Sequence, residues 1–255
     1  MIYQRVASLA FPAVSIALGL FVFTNFRQPK TEDSSSAAPQ PTRSAPLVLD
    51  PSGPGNAKAA FAAIYKEATW GTNGEGVGTS GTGSTVASTL IYRTFLQQFL
   101  KENDIRSVVD AGCGDWEFSH AIDWTGIDYK GYDIVESVIE SNKKNHSKPN
   151  IQFFSANIVD TELPPADLLI SKHVLQHMPT TDVEKFVKQM KKYKHVLFTN
   201  GVHPLNLSAQ NTDISPGGYR ELDLMSPPFN IPGVKVLTYW DGHHMHQVEH
   251  FTPQP

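Results

Sequence analysis

A single cysteine, Cys113, is all the sequence contains. That excludes an intrachain disulfide and any cysteine-based zinc site. It leaves the compartment open, because lumenal and secreted domains can also lack disulfides. A basic excess is missing too: 21 Lys and Arg stand against 25 Asp and Glu, a formal net charge of −4. A surface made for phosphate backbones needs the opposite balance, so no nucleic-acid partner is expected. The one basic run (Lys185, Lys188, Lys191, Lys192, Lys194) falls on or near a predicted helix and reads as a solvated face. No repeat at a solenoid period is found. With 40% hydrophobic and 18% charged residues the balance is globular, and 255 residues fit one ordinary domain plus extra segments.

Long uncharged runs are scarce, with an exception at the start. Residues 7–23, ASLAFPAVSIALGLFVF, form a 17-residue uncharged stretch between Arg5 and the pair Arg27 and Lys30. This is the short end of what spans a bilayer as a helix. A cleaved secretory signal has a similar basic start and apolar middle. The run is longer than a usual signal core, and Phe21, Phe23 and Phe26 stand where a peptidase prefers small residues. Residues 1–27 are therefore expected to be an uncleaved, single-pass signal-anchor, with secretion after cleavage as the alternative. Basic residues on both flanks do not fix its orientation. Residues 28–56 carry Pro29, Pro39, Pro41, Pro46, Pro51 and Pro54 with Ser34–Ser36, bury little apolar surface and read as a disordered linker. Residues 57–255 are then the folded domain, tethered to a membrane through the anchor. This layout resembles that of Golgi glycan-modifying enzymes and would equally suit a bacterial inner-membrane protein.

Within the domain, Phe61, Ile64, Tyr65 and Ala68 make a helical stripe. The stretch 71–83 follows, with six glycines in thirteen residues. Ser84 is a suitable N-cap for a helix through Leu90, Ile91, Phe95, Leu96 and Phe99 to about Asn103. Strands and helices then alternate. Strands are expected at 107–110, 131–135, 151–154, 167–171 and 195–199, and helices at 116–122, 136–145 and 181–193. Thr181 and Glu184 form a T-x-x-E capping box for the last helix. Two further strands, 234–239 and one within 245–251, close the set. This order predicts an α/β fold with a doubly wound, mostly parallel seven-stranded sheet and helices on both faces.

A ligand binds such a sheet at the carboxyl ends of its strands, where strand order reverses. The first strand runs into Asp110-Ala111-Gly112-Cys113-Gly114-Asp115-Trp116, whose glycines let backbone pass close to a ligand. Nineteen residues after Gly114, Asp133 ends the second strand, where an acid can accept from both hydroxyls of a ribose. A dinucleotide site shows G-x-G-x-x-G so that a pyrophosphate rests on a helix N-terminus. Here the third glycine is missing, and Asp115 and Glu117 would repel a pyrophosphate while tolerating a cationic ligand.

The segment Val108–Asp115 resembles motif I of class I S-adenosylmethionine (SAM)-dependent methyltransferases. Gly131–Asp133, Phe154–Ile158 and Asp167–His177 resemble the family's motifs at the second, third and fourth strands, and the similarity covers about residues 57–239. It extends to a subgroup with a glycine-rich lead-in, G-C-G-D-W after the first strand, V-L-Q-H after the fourth and a late G-G-[WY]-R-x-L-D-L segment, here Gly217–Leu224. The chain departs from the family at Trp116, where a third small residue is usual, and at Asn157, where Asp is usual. The resemblance implies SAM as cofactor, with Asp110, Gly112 and Gly114 along its methionine part. Cys113 belongs to the same binding turn, its thiol a small apolar filler. Asp133 would hold the ribose, Ile134, Asn157 and Ile158 would flank the adenine, and Lys172 joins the cofactor-binding set. The loop 71–83 either closes over the cofactor or is a flexible surface loop.

Methyl transfer to oxygen needs a group to remove the acceptor's proton. Lys172, His173 and His177 cluster after the fourth strand; His173 is the first candidate and His177 the second, and either could instead only pack. His203, Asp213, Tyr219, Arg220 and Asp223 lie in a long insertion after the fifth strand, where substrate contacts tend to gather, and Tyr219 and Arg220 suit a hydroxylated or acidic acceptor. The tail Asp241–His250 holds four histidines and two acids. On an alternating strand His244, His246 and His250 would share a face, and imidazole with carboxylate suits zinc, nickel or iron. No known zinc spacing is matched, so surface histidines are the expectation, a metal site the alternative, and no metal is counted among the expected cofactors. The function expected is methyl transfer from SAM to a small-molecule or glycan acceptor, on oxygen. The alternatives are an NAD-type oxidoreductase on a similar fold and a non-catalytic, membrane-tethered binding module.

Overall fold

A computed structural model describes residues 56–73 and 76–253. The helix α1 (Asn56–Lys66) leads through the glycine-rich loop to α2 (Leu90–Glu102). Then come β1 (Ser107–Ala111), β2 (Asp128–Asp133), α3 (Glu136–His146), β3 (Ile151–Ser155), β4 (Ala166–Lys172), α4 (Thr180–Val187) and β5 (Tyr193–Gly201). A hairpin of β6 (Val234–Trp240) and β7 (Met245–Phe251) ends the fold. The seven strands form one sheet in the order β3-β2-β1-β4-β5-β7-β6, with only β7 running against the others. The expected mostly parallel, seven-stranded sheet is what forms.

Strand alternation divides the core in two. Val108 of β1 and Leu168 and Ile170 of β4 face one way, against Tyr92, Leu96 and Phe99 of α2 and Ile139 of α3. Val109 and Leu169 face the other way, with Val196 and Phe198 of β5, against Val183 and Phe186 of α4. Both faces of the parallel strands are thus covered, which is what their near-continuous apolar runs require. Strand order reverses between β1 and β4, whose neighbours lie on opposite sides. Because His246 pairs with Gly201, the turn between β6 and β7 comes to the carboxyl end of β5, on the same edge as that switch point.

Several boundaries differ from expectation, each for a local reason. The helix α2 begins at Leu90 rather than Ser84. Thr85, Ser88 and Thr89 turn their hydroxyls onto nearby backbone (Thr89 Oγ1 donates to Thr85 O at 2.7 Å), and such bonds compete with a helix. The capping box at Thr181 does not form, because Thr181 lies inside α4; Asp213 Oδ1 instead accepts from Thr180 N at 2.8 Å. A 3-10 stretch, Lys188–Lys192, replaces the end of that helix. The helix expected at 116–122 shrinks to a single turn, Ser119–Ala121. Its first residue, Trp116, takes φ 59°, outside the right-handed helical region, and its ring lies edge-on to Tyr129 and Phe153 in the core.

The membrane anchor is corrected. Among the described residues no helix is long and apolar enough to cross a membrane. The run 7–23, like the linker before residue 56, lies outside the described residues. The signal-anchor, the membrane tether and the single-pass location are therefore withdrawn, since no spanning helix among the described residues supports them.

Candidate functional site

A cleft of about 970 Å³, counted to its open mouth, lies at the carboxyl ends of β1, β2 and β4. Asp110, Gly112, Cys113, Gly114, Asp133, Ile134, Asn157, Ile158, Lys172, His173 and His177 all line it. The topology thus brings the residues expected to bind the cofactor and the two candidate bases to one place.

Its β1–β2 side is built from backbone and carboxylates. Gly112 and Gly114 have φ of 86° and 55°, conformations that cost a side-chain-bearing residue strain, and a Cβ at Gly112 would run into Val174. The amides of Gly112 and Cys113 both donate to Tyr132 O, at 2.8 and 3.0 Å, tying the turn to β2. Asp133 accepts from Gly114 N at 3.1 Å through Oδ2 and from Val135 N at 2.9 Å through Oδ1. Burial raises its carboxyl, against the pull of those donors. Burial also pushes Asp110 up to about 7, although Tyr129 donates to its Oδ2 at 2.6 Å. Asn157 is largely engaged: Oδ1 accepts from Val159 N at 3.0 Å and Nδ2 donates to Asp160 at 2.6 Å.

The glycine-rich loop is pinned down at this end. Ser80 donates through N and Oγ to the two carboxylate oxygens of Asp115, at 3.0 and 2.9 Å, and Asp115 N donates back to Ser80 Oγ at 2.9 Å. Tyr65 adds a 2.7 Å hydroxyl contact with Ser80. Ser80, Ser84 and Trp70 consequently form part of the cleft wall.

The β4 side carries nitrogen bases. Lys172 is buried, donates to Gly83 O at 2.7 Å and lies 5.1 Å from the ring centroid of Phe118. Burial depresses its ammonium to about 7, against the pull of Asp241 and Asp110. His173, at φ 57°, has Nδ1 3.1 Å from Lys172 Nζ and a buried Nε2 with no hydrogen-bond partner. Burial first, then Lys172, holds its imidazole well below the usual histidine value. His177 Nδ1 lies 2.6 Å from Gly218 O, so it must be the donor, and Nε2 meets Gln176 Nε2 at 3.3 Å. Burial lowers His177 to about 4.

Two groups went unrecognised as neighbours of this site. Asp241 Oδ2 and His246 Nε2 lie 2.7 Å apart, with side chains 2% and 4% exposed, and the His246 ring sits 4.2 Å from that of His173. The reading of the tail as surface histidines is thereby corrected for His246, and His250 turns instead to His195, at 3.1 Å. The pair itself is local to the β6–β7 hairpin, but its place beside His173 comes from the pairing of β7 with β5, which no local spacing signals. The insertion also divides. Arg220 is buried and locked onto Met178 O, Thr212 O and Thr180 Oγ1 at 2.8–2.9 Å, so it is not offered to an acceptor. Asp223 is buried and bonded to Lys235, Ser226 and Met225 N. Asp213 caps α4. Tyr219 remains exposed, with its ring 5.9 Å from that of His177.

Residues 109–196 match the family described as a methyltransferase domain. No curated protein matches the sequence. Among solved structures, the chain is similar to the N-methyltransferase NodS from Bradyrhizobium japonicum WM9 in complex with S-adenosyl-L-homocysteine (SAH). Identity is 12%, coverage 66% of this chain and 88% of that one, and the TM-score 0.51. It is also similar to the magnesium protoporphyrin IX methyltransferase from Synechocystis PCC 6803 with bound SAH, at 13% identity, 66% and 84% coverage and a TM-score of 0.48. At such identities the likeness is one of fold.

Proposed function

We propose that the chain, on its Rossmann-like fold, is a class I SAM-dependent methyltransferase that methylates an oxygen of a small-molecule or glycan acceptor. The cofactor is SAM. The cleft fits it: two glycines in left-handed conformations bare the backbone, and Asp110, Asp115 and Asp133 supply the negative charge that suits a cationic sulfonium and amine. Asp133 would hold the ribose hydroxyls on lone pairs left by Gly114 N and Val135 N. Asp110, Gly112, Cys113 and Gly114 would surround the methionine part, with Lys172 completing that wall. Ile134 and Ile158 would flank the adenine, and Asn157 has one Oδ1 lone pair left for it. When bound, SAM supplies an activated methyl group. The chain's own task is to orient the acceptor, exclude water and take up a proton.

The observation that carries the oxygen reading is the buried, unpartnered Nε2 of His173 on the cleft wall. The direction of its other hydrogen bond decides what Nε2 can do. An ammonium at Lys172 donates to Nδ1 and leaves Nε2 carrying hydrogen. A neutral amine accepts from Nδ1–H and puts the lone pair on Nε2, which can then take a hydroxyl proton. Trp70, Phe61 and Tyr65 on the same cleft offer rings to a sugar or aromatic acceptor.

Calorimetric titration with SAM, SAH and NAD comes first; no binding of SAM or SAH tighter than about millimolar overturns the reading. A panel of hydroxyl and amine acceptors is then screened with radiolabelled SAM. Transfer to hydroxyl compounds is expected, and transfer to amines alone rejects the oxygen assignment.

A further inference from the structure

The pair Asp241 and His246 has a third neighbour. His244 presents a ring nitrogen such that one ligand atom from each of Asp241, His244 and His246 lies within 4.8 Å of the others. We propose that these three side chains form a divalent transition-metal site at the turn between β6 and β7, with at least one coordination position open.

Several independent features point there. The first is the donor set: two imidazoles and a carboxylate suit zinc, iron(II) or nickel, and three protein ligands are the number used where one position is kept for water or substrate. The second is the way the turn is built. Asp241 Oδ1 accepts from His243 N and His244 N, both at 2.7 Å, which fixes the carboxylate and leaves Oδ2 aimed at His246. The third is unmet bonding. His246 Nδ1 and His173 Nε2 are both buried without a partner, on rings whose centroids are 4.2 Å apart. Unpartnered buried nitrogens are costly, and two of them meet here on adjoining rings.

The place matters as much as the ligands. His173 lines the cofactor cleft on one side and packs on His246 on the other. The proposed ion would therefore lie one ring beyond the cleft wall, with His244 at the exposed edge and Tyr219 beside it. An acceptor with adjacent oxygens is the class such a site would take, with one oxygen on the metal and its neighbour turned to the cleft. That last step rests on the methyl-transfer reading; the metal site itself does not.

The test uses the full chain, stripped with chelator and titrated with zinc and with cobalt. One equivalent is expected, with the absorption bands of low-coordinate cobalt. His244→Ala, an exposed change that leaves the fold intact, should weaken zinc by more than the roughly 10–100-fold typical of losing an outer-shell partner. His246→Ala should do the same, and His243→Ala, its exposed neighbour, should leave affinity unchanged. Absence of stoichiometric binding overturns the proposal, as does loss in His243→Ala with none in His244→Ala. SAH titration of His244→Ala separates the two readings. Binding as in the unmodified chain, with zinc lost, supports a distinct metal site. Failure of SAH to bind even the unmodified chain removes the methyl-transfer reading and leaves the metal result standing.

Discussion

At the ends of β1 and β2 the cleft is made of backbone amides, two glycines and carboxylates; at the ends of β4, β5 and the β6–β7 turn it is made of imidazoles and one buried amine. The first half is fixed by short-range bonds: the turn after β1 is tied to Tyr132 O and to Asp133 at the end of the neighbouring strand β2. The second half is assembled from three distant segments that only the strand order brings together. A half built from local backbone geometry is expected to be intolerant of change and specific for one ligand. A half built from side chains on separate segments can be altered residue by residue, which suits the part that selects an acceptor.

The widest separation of the halves is expected at His173. His173→Ala should lower turnover by about 10²–10⁴-fold, the range for a general base, while SAH affinity stays as in the unmodified chain. Lys172→Arg should do nearly as much, because a permanent guanidinium donates to Nδ1 and keeps hydrogen on Nε2. Unchanged turnover in His173→Ala would sink the base assignment. A parallel fall in SAH affinity would show that the halves are not separable.

Asp133→Ala probes the other half and should weaken SAH by about 10²-fold, since it removes the ribose acceptor and leaves the buried amides of Gly114 and Val135 without a partner. Calorimetry reads this directly. An Asp133→Asn variant that binds SAH as the unmodified chain does would mean that the carboxylate only braces the turn.

What could be read from the sequence follows the same division. Seven strands were legible because apolar runs and their alternation are local, although β2, without a β-branched residue, begins at Asp128 rather than Gly131, and the cofactor turn was legible because Gly112, Gly114 and Asp133 keep their meaning at fixed spacing. Helix starts were less so, since Thr85, Ser88 and Thr89 bond their own backbone instead of extending α2. Trp116 looked out of place in a cofactor turn. Its left-handed backbone sends the ring away from the ligand and into the core, which no motif encodes. Asp241 and His246 were invisible as neighbours of the site because their meeting with His173 is a consequence of β7 lying against β5. Arg220 misled in the opposite sense: a loop arginine suggests a ligand, yet its guanidinium binds the carbonyls that hold the insertion together.

A pH test examines what holds up the acceptor half. Burial and the neighbouring Asp223 carboxylate push Glu249 from 4.5 up to about 8. Between those values the native chain keeps a proton that the unfolded chain has released. The stability due to this group is therefore full below pH 4.5 and falls as the pH rises toward about 8. Asp110, raised to about 7, adds a slope of the same sign from the cofactor half. Glu249→Gln should flatten the dependence and gain about 1–2 kcal/mol near pH 8, measured by urea unfolding at about pH 5 and about pH 8. A variant that loses stability in parallel with the unmodified chain would transfer the slope to Asp110.

The smallest effect is expected at Tyr219, the exposed ring between His177 and His244. Its ring is half exposed and, unlike Arg220 beside it, makes no hydrogen bonds that hold the insertion, so its main contribution should appear when an acceptor is present. Tyr219→Ala should raise the acceptor KM by about 2–10-fold with kcat nearly unchanged, the size of one stacking contact made equally in the ground and transition states. Tyr219→Phe distinguishes how the contact is made. Recovery of KM means that the ring face holds a sugar or aromatic acceptor, whereas a KM as high as that of the Ala variant means that the hydroxyl does. A fall in kcat alone, in either variant, would place Tyr219 with the proton-handling histidines and shift the boundary between the part that recognises the acceptor and the part that reacts.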